Sequence, residues 1–195
     1  MKRLFLFSVF LLSGFLAVNA QNVDVNRPQT SESVGLAPIQ RGNWMVGGSI
    51  GSLGYNFSSE TFNINIEPRA SYFVSDGIAI GLTLGGGLAT RKEADNIWNY
   101  KLAPHVRYFF PEGSSSTGRF FGEGEVGIGG STATSDVAFL AGIKAGYAHF
   151  ITRSVALEAA LGYTYSKADI SSSNSISGLG VSLGFQIYLP GQGNR

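Results

Sequence analysis

His105, His149 and a scatter of carboxylates have the broadest chemical reach in this chain. His105 shares a strand face with Arg107, and Glu125 falls opposite it when the flanking segments are paired, so an acid/base group can be drawn there on paper. No serine lies within two residues of His105 and no nucleophile is evident, so its expected role is hydrogen bonding in an interior and no catalytic residue is assigned. His149, beside Phe150 near a turn, reads as an interfacial side chain. Glu123 and Glu125 share a face, but no cluster of His, Cys and carboxylates has the spacing of a metal site, and neither metal nor cofactor is expected. The run Gly85-Gly86-Gly87 follows a strand pattern, where glycine eases curvature and close packing, and not the strand-to-helix pattern of a phosphate loop.

The elements that position these residues are strands. From Trp44 onward the apolar residues keep one parity through eight segments: Trp44 to Ile50, Phe62 to Tyr72, Ile78 to Leu88, Trp98 to Tyr108, Phe120 to Ile128, Val137 to Tyr147, Val155 to Tyr165 and Leu179 to Leu189. A period of two at this length means strands, since a helix repeats at about 3.6. Val74 and Ile78 fall on the same face, so the parity requires a three-residue loop, and Ser75-Asp76-Gly77 supplies one with glycine where a left-handed conformation is needed. The phrase from Phe73 to Ile80 recurs from Phe150 to Leu157, and Pro68 to Phe73 has a shorter echo in Pro104 to Phe109, as repeated hairpins would produce.

Alternation alone does not say which face points inward. The apolar face of the listed strands carries no formal charge, whereas the other holds Glu67, Arg69, Lys101, Arg107, Glu123, Glu125, Lys144 and Glu158, four acids and four bases. Such balance suits a narrow lumen, where buried charges must be paired, and these residues with His105 are the expected lumen network. Extending the fifth and sixth strands from a turn near Ala133 sets Glu123 against Lys144, and the 111 to 117 connection brings Arg107 near Glu123. Strands of about 10 residues at roughly 3.3 Å each, tilted near 40°, cover about 25 Å, the height of an outer-membrane apolar band. Lipid offers no partner to a free strand edge, so the expected fold is all-β, an eight-stranded antiparallel up-and-down transmembrane β-barrel. Tyr72, Phe73, Phe109, Phe110, Tyr147, Phe150 and Tyr188 gather toward one rim, with Trp44, Phe57, Trp98, Tyr100 and Tyr165 elsewhere or toward the other, as headgroup girdles would. Pro68 and Pro104 fall within closed strands, so a bulge or a missing ladder bond is expected at each.

The N-terminus assigns the compartment. Lys2 and Arg3, the apolar run Leu4 to Leu16 and the small-residue site Val18-Asn19-Ala20 form a secretory signal peptide over 1–20. That run is too short for a membrane helix, which needs about 20 residues. Residues 21–42, without periodicity, read as a flexible periplasmic lead-in, 43–190 as the barrel and 191–195 as a short tail. The chain has no cysteine, so no disulfide contributes, and a net charge of +1 without a basic run gives nucleic acid nothing to bind.

From about residue 42 to Leu189 the chain resembles the small outer-membrane β-barrel family that includes OmpA-like, OmpX-like and opacity-type proteins. The final strand carries the residues of the resemblance: Ser182, Gly184, Ile187 and Leu189 match the pattern of an assembly signal, a polar residue, a glycine two later, then alternating hydrophobics. The departure is the tail Pro190 to Arg195, since such signals often finish the chain. The resemblance implies a bacterial outer-membrane location, contact with outer-membrane lipid and handling by the barrel-insertion machinery. No peptidoglycan-binding domain is expected after the barrel. An eight-stranded barrel is just wide enough for side chains to fill it, so the expected role is structural or surface-interacting, with no enzymatic activity and the surface ligand unknown. A small channel, a lipid-modifying enzyme of the deacylase or palmitoyltransferase kind and a soluble lipocalin-like carrier are the alternatives. The short connections Ser75–Gly77 and Ile151–Arg153 are expected on the periplasmic side, and the loops near 54–60, 90–96, 130–136 and 167–175 outside.

Overall fold

A computed structural model of the chain describes residues 31–56, 61–91, 94–111, 116–132, 134–167 and 175–191. The expected signal peptide, the first ten residues of the expected lead-in, residues 192–195 and parts of the four loops expected outside (57–60, 92–93, 133 and 168–174) lie outside these residues. Eight strands, β1 (Trp44–Asn56), β2 (Thr61–Ser75), β3 (Ile78–Arg91), β4 (Ala94–Phe109), β5 (Gly118–Ser131), β6 (Thr134–Thr152), β7 (Val155–Lys167) and β8 (Ser175–Leu189), follow one another in chain order around a closed antiparallel barrel. Closure is the β1–β8 pairing, with Trp44 opposite Leu189 and Gly51 opposite Ser182. The strands run past the apolar segments read from the sequence, as in β6, because the ladder needs only backbone groups while the apolar alternation stops where the bilayer would stop.

Parity decides every wall position. Val46, Leu82, Val106, Val126, Ile143, Leu161 and Val181 are exposed on the outside, whereas Arg69, Thr83, His105, Arg107, Glu123, Glu125, Glu158 and Gln186 are buried within. The registers expected from the turns hold: Arg107 pairs with Glu123, Glu123 with Lys144 and His105 with Glu125. The β2–β3 connection is a turn at Asp76-Gly77, with Gly77 at φ 72 and a register shift between Phe73 and Ser75. The β6–β7 hairpin repeats it with a shift between Phe150 and Thr152. The sequence echo thus places equivalent residues equivalently, with Phe73 and Phe150, like Ala79 and Ala156, all fully buried inside.

The prolines interrupt bonding without displacing register. Pro68 stays opposite Gly48 of β1, but toward β3 the pairing stops between Ile66↔Gly86 and Arg69↔Thr83 and resumes unshifted. Pro104 does the same toward β5, between Leu102↔Ile128 and His105↔Glu125. Each ring nitrogen lacks a hydrogen to donate, so of the two expected outcomes the structure takes the missing bond and not the bulge.

Two expectations need correction. Phe73, Phe109, Phe150 and Tyr188 are not girdle residues: they are at most 2% exposed and, with Phe121 and Met45, fill the lumen at the short-turn end. Each shares the parity of a lumen residue two positions away, Phe73 with Ser71 and Phe109 with Arg107, and parity prevails over nearness to a turn. Trp44 joins this same end, its ring 5.2 Å from that of Tyr72. The second correction concerns the lead-in, whose residues 31–42 are packed and not loose. They include a 3-10 turn, Ala37–Ile39, and bury Val34, Pro38 and Ile39 against the barrel end.

Candidate functional site

The lumen is built upward from the short turns in two layers. The lower is aromatic: Phe73 and Phe109 lie 5.9 Å apart, Phe109 and Phe121 5.9 Å, and Phe150 and Tyr188 5.1 Å. The Arg107 guanidinium lies on this layer, 4.0 Å from the Phe121 ring centre and 5.7 Å from that of Phe109, so the ring faces help to solvate a buried cation.

The upper layer is ionic and contains every charge assigned to the lumen. Arg107 Nε donates to Glu123 Oε2 at 2.8 Å and its Nη1 to Glu158 Oε1 at 2.6 Å. Arg69 Nη1 donates to both Glu123 oxygens, at 3.0 and 2.8 Å, and its Nη2 to Ser49 Oγ at 3.3 Å. Lys101 bridges Glu67 at 2.7 Å and Glu125 at 3.1 Å. Lys144 bridges the same two, at 3.1 and 3.3 Å. Among these carboxylates exposure ranges from 22% for the Glu67 side chain to 0% for Glu123, so Glu67 lies nearest solvent and Glu123 is enclosed. Gln186 Nε2 donates to the second Glu158 oxygen at 3.3 Å.

The hydrogen bonds of His105 go to wall hydroxyls. Its Nε2 forms a hydrogen bond with Ser71 Oγ at 2.8 Å and its Nδ1 one with Thr83 Oγ1 at 2.9 Å. Sequence reading missed Ser71 because it looked for a serine along the strand; the contact comes across the sheet, with Gly81 paired to both Ser71 and His105. A Cβ at Gly81 would come 2.8 Å from His105 Nε2, so glycine is what lets next-nearest strands touch. The pair is a serine and an imidazole without a carboxylate partner, and Ser71 is 1% and His105 3% exposed. Both imidazole nitrogens are thus engaged by wall hydroxyls.

Arg119 was also missed from the charge balance. It faces inward at 2% exposure and donates to the carbonyls of Gly35 at 2.7 Å and Gly118 at 2.9 Å, so it is an inward-facing cation beyond the four counted from the pattern. His149, expected at an interface, is half-buried at the short-turn rim and bonds Ser31 Oγ at 3.0 Å. The residues expected to form an assembly signal lie in the seam strand, where Gly184 faces Ser49 of β1 and Ile187 lies between Val46 of β1 and Val155 of β7. Among the described residues no group of three or more His, Cys, Asp or Glu is placed to hold a metal. A cavity bordered by Ser49, Arg69, Arg107, Lys144 and Glu158 measures about 10 Å³, room for about one water.

No family model matches the chain, and no curated protein matches it. Solved structures do. Neisserial surface protein A aligns at a TM-score of 0.54 with 15% identity, covering 75% of this chain and 96% of that one. The outer membrane protein OprG from Pseudomonas aeruginosa aligns at 0.53 with 9% identity, covering 80% and 99%. Outer membrane protein H from P. aeruginosa aligns at 0.55 with 15% identity, covering 75% and 99%. At these identities the likeness is one of fold: the chain is built as small eight-stranded outer-membrane barrels are built.

Proposed function

We propose that the mature chain is an integral protein of the bacterial outer membrane with a structural or surface-interacting role, a lumen plugged by its own side chains and no enzymatic activity. One observation carries the reading. The outer wall is an apolar surface on which most aliphatic residues are exposed, from 37% at Ile187 to 76% at Leu179, while the charges of Glu123, Arg107 and Arg69 are enclosed. In water this would be an inside-out protein, whereas in lipid both faces are satisfied. Trp98 and Tyr108 mark the two edges on β4; ten residues at roughly 3.3 Å, tilted about 40°, separate them by about 25 Å, the height of the lipid band. Between the edges a shallow groove of about 1100 Å³ runs over Ala70, Pro104, Gly124 and Ala141, a surface on which acyl chains can lie.

The same inversion counts against a lipocalin-like carrier, whose interior would be apolar. The ion-paired layer and the aromatic layer beneath it count against an open channel, and the burial of Ser71 and His105 against a lipid-modifying site. The fold supports an outer-membrane address, since OprG and outer membrane protein H are outer membrane proteins by name. Outer-membrane lipid is then the principal partner, with the insertion machinery reading the β8 pattern during biogenesis. In cells the protein is expected in the outer-membrane fraction, resistant to alkaline extraction and heat-modifiable in gel migration. In planar bilayers it gives no sustained large conductance. Recovery in a soluble fraction would refute the location, and sustained conductance would refute the plug.

A further inference from the structure

Residues 31–43 cross the short-turn mouth of the barrel beneath the aromatic layer. Each short connection holds the segment at a different point. Gly77 N donates to Ile39 O at 2.8 Å, Val34 N to Ser116 O at 3.3 Å and Glu32 N to Phe150 O at 2.9 Å. Arg41 N donates to Asp76 Oδ1 at 2.8 Å and Arg119 Nη2 to Gly35 O at 2.7 Å. Asn43 fastens the segment to itself and to the chain's end: its Nδ2 donates to Ala37 O at 2.8 Å, and its Oδ1 accepts from Gly191 N at 3.0 Å. Val34 and Ile39, 8% and 2% exposed, complete the apolar cluster of Phe73, Phe109, Phe121, Phe150 and Tyr188.

The segment is bent at two glycines, Gly35 at φ 54 and Gly42 at φ 92, which bracket the 3-10 turn. A Cβ at Gly35 would meet nothing within 4 Å, so glycine is required there by backbone conformation and not by space. The attachment differs in kind from that of the strands, each of which is laddered on both sides. Gly42 N donates to Phe73 O at 2.9 Å and Asn43 O accepts from Phe73 N at 3.0 Å, which continues the β1–β2 ladder, whereas the contacts of residues 32–41 are separate, of different types and outside it. Breaking them opens no strand pair.

We propose that residues 31–41 are a periplasmic latch, bent at Gly35 and anchored at Gly42, that seals the short-turn end of the lumen and can be released without unzipping the barrel. Only its assignment to the periplasm rests on the proposed outer-membrane location and on the short turns facing the periplasm, as expected from the sequence; the seal itself does not. The barrel is therefore closed from below twice, by a fixed aromatic layer and by a movable cover. The movable one decides whether reagents reach that layer.

The chain has no cysteine, so single-cysteine labelling is clean. Ala79→Cys sits in the covered cluster and Thr83→Cys in the ionic layer, both positions fully buried. Each is labelled with a polar maleimide in the refolded mature chain, alone and combined with Ile39→Asp or Gly35→Ala. Ala79→Cys is expected to react at least ten-fold faster with Ile39→Asp than without it, with Gly35→Ala intermediate and Thr83→Cys protected throughout. Equal protection of Ala79→Cys in all backgrounds would overturn the latch, since the aromatic layer alone would then be the seal. Labelling of Thr83→Cys together with Ala79→Cys would also overturn it, because the segment would then be part of the barrel's folding. Should Ile39→Asp fail to refold, Gly35→Ala is judged by the same two criteria. Detergent-refolded protein reports the seal whichever compartment this end faces, so a failure here is distinct from a failure of the outer-membrane reading.

Discussion

Replacing Glu123 with Gln tests whether the ionic layer is enclosed. The Glu123 carboxylate takes two hydrogen bonds from Arg69 and one from Arg107, lies 3.7 Å from Lys144, and has a fully buried side chain. After substitution Arg107 keeps Glu158 at 2.6 Å, but Arg69 falls back on Ser49 at 3.3 Å and on Glu67 at 3.7 Å. Removing one partner of a buried pair costs about 3–5 kcal/mol, and because Arg107 retains a carboxylate the loss here is placed near the middle of that range, about 4 kcal/mol. Urea unfolding in lipid vesicles, followed through Trp44 and Trp98, gives the change in midpoint at constant slope. The double variant Glu123→Leu, Arg69→Leu should recover at least half of the loss, since the stranded guanidinium is then gone. A loss below about 1 kcal/mol, the worth of an exposed ion pair, would mean that water reaches the layer and would refute the reasoning.

Three further outcomes follow from particular contacts. Gly81→Val should cost about 1–3 kcal/mol by overpacking against Ser71 and His105, whereas Gly124→Val, where an added Cβ meets nothing within 4 Å, should be neutral or stabilising in the same unfolding assay. Tyr188→Phe should leave stability unchanged within about 0.5 kcal/mol or raise it, because the buried hydroxyl has no hydrogen-bond partner; a loss above about 1 kcal/mol would reveal one. Lipid A from cells carrying His105→Ala should match that of the parent by mass spectrometry while the barrel remains heat-modifiable; a lost modification would establish an enzymatic role.

The walls were legible because a strand in lipid must alternate, and eight parities such as Leu82 against Thr83 leave little freedom. Arg107, Glu123 and Lys144 could be aligned from turn lengths alone, since register propagates in steps of two. The aromatic plug was misread because Phe73 and Phe150 stand next to turns, where girdles also stand, and nearness was weighed above parity. Ser71 and Thr83 were invisible for another reason: they meet His105 across the sheet, at separations of 34 and 22 residues. The lead-in was misjudged because a segment held by backbone bonds and two apolar side chains, Val34 and Ile39, needs no periodicity to pack.

Everything turns on the orientation of the two faces, and a paired nitroxide scan reads it directly. Labels at Leu82 and Val181 should be relaxed strongly by lipid-dissolved oxygen, and labels at Thr83 and Ser182 weakly, alternating residue by residue along β3 and β8. The opposite alternation, with Leu82 and Val181 shielded from oxygen and Thr83 and Ser182 open to a water-soluble nickel chelate from bulk solvent, would contradict the account.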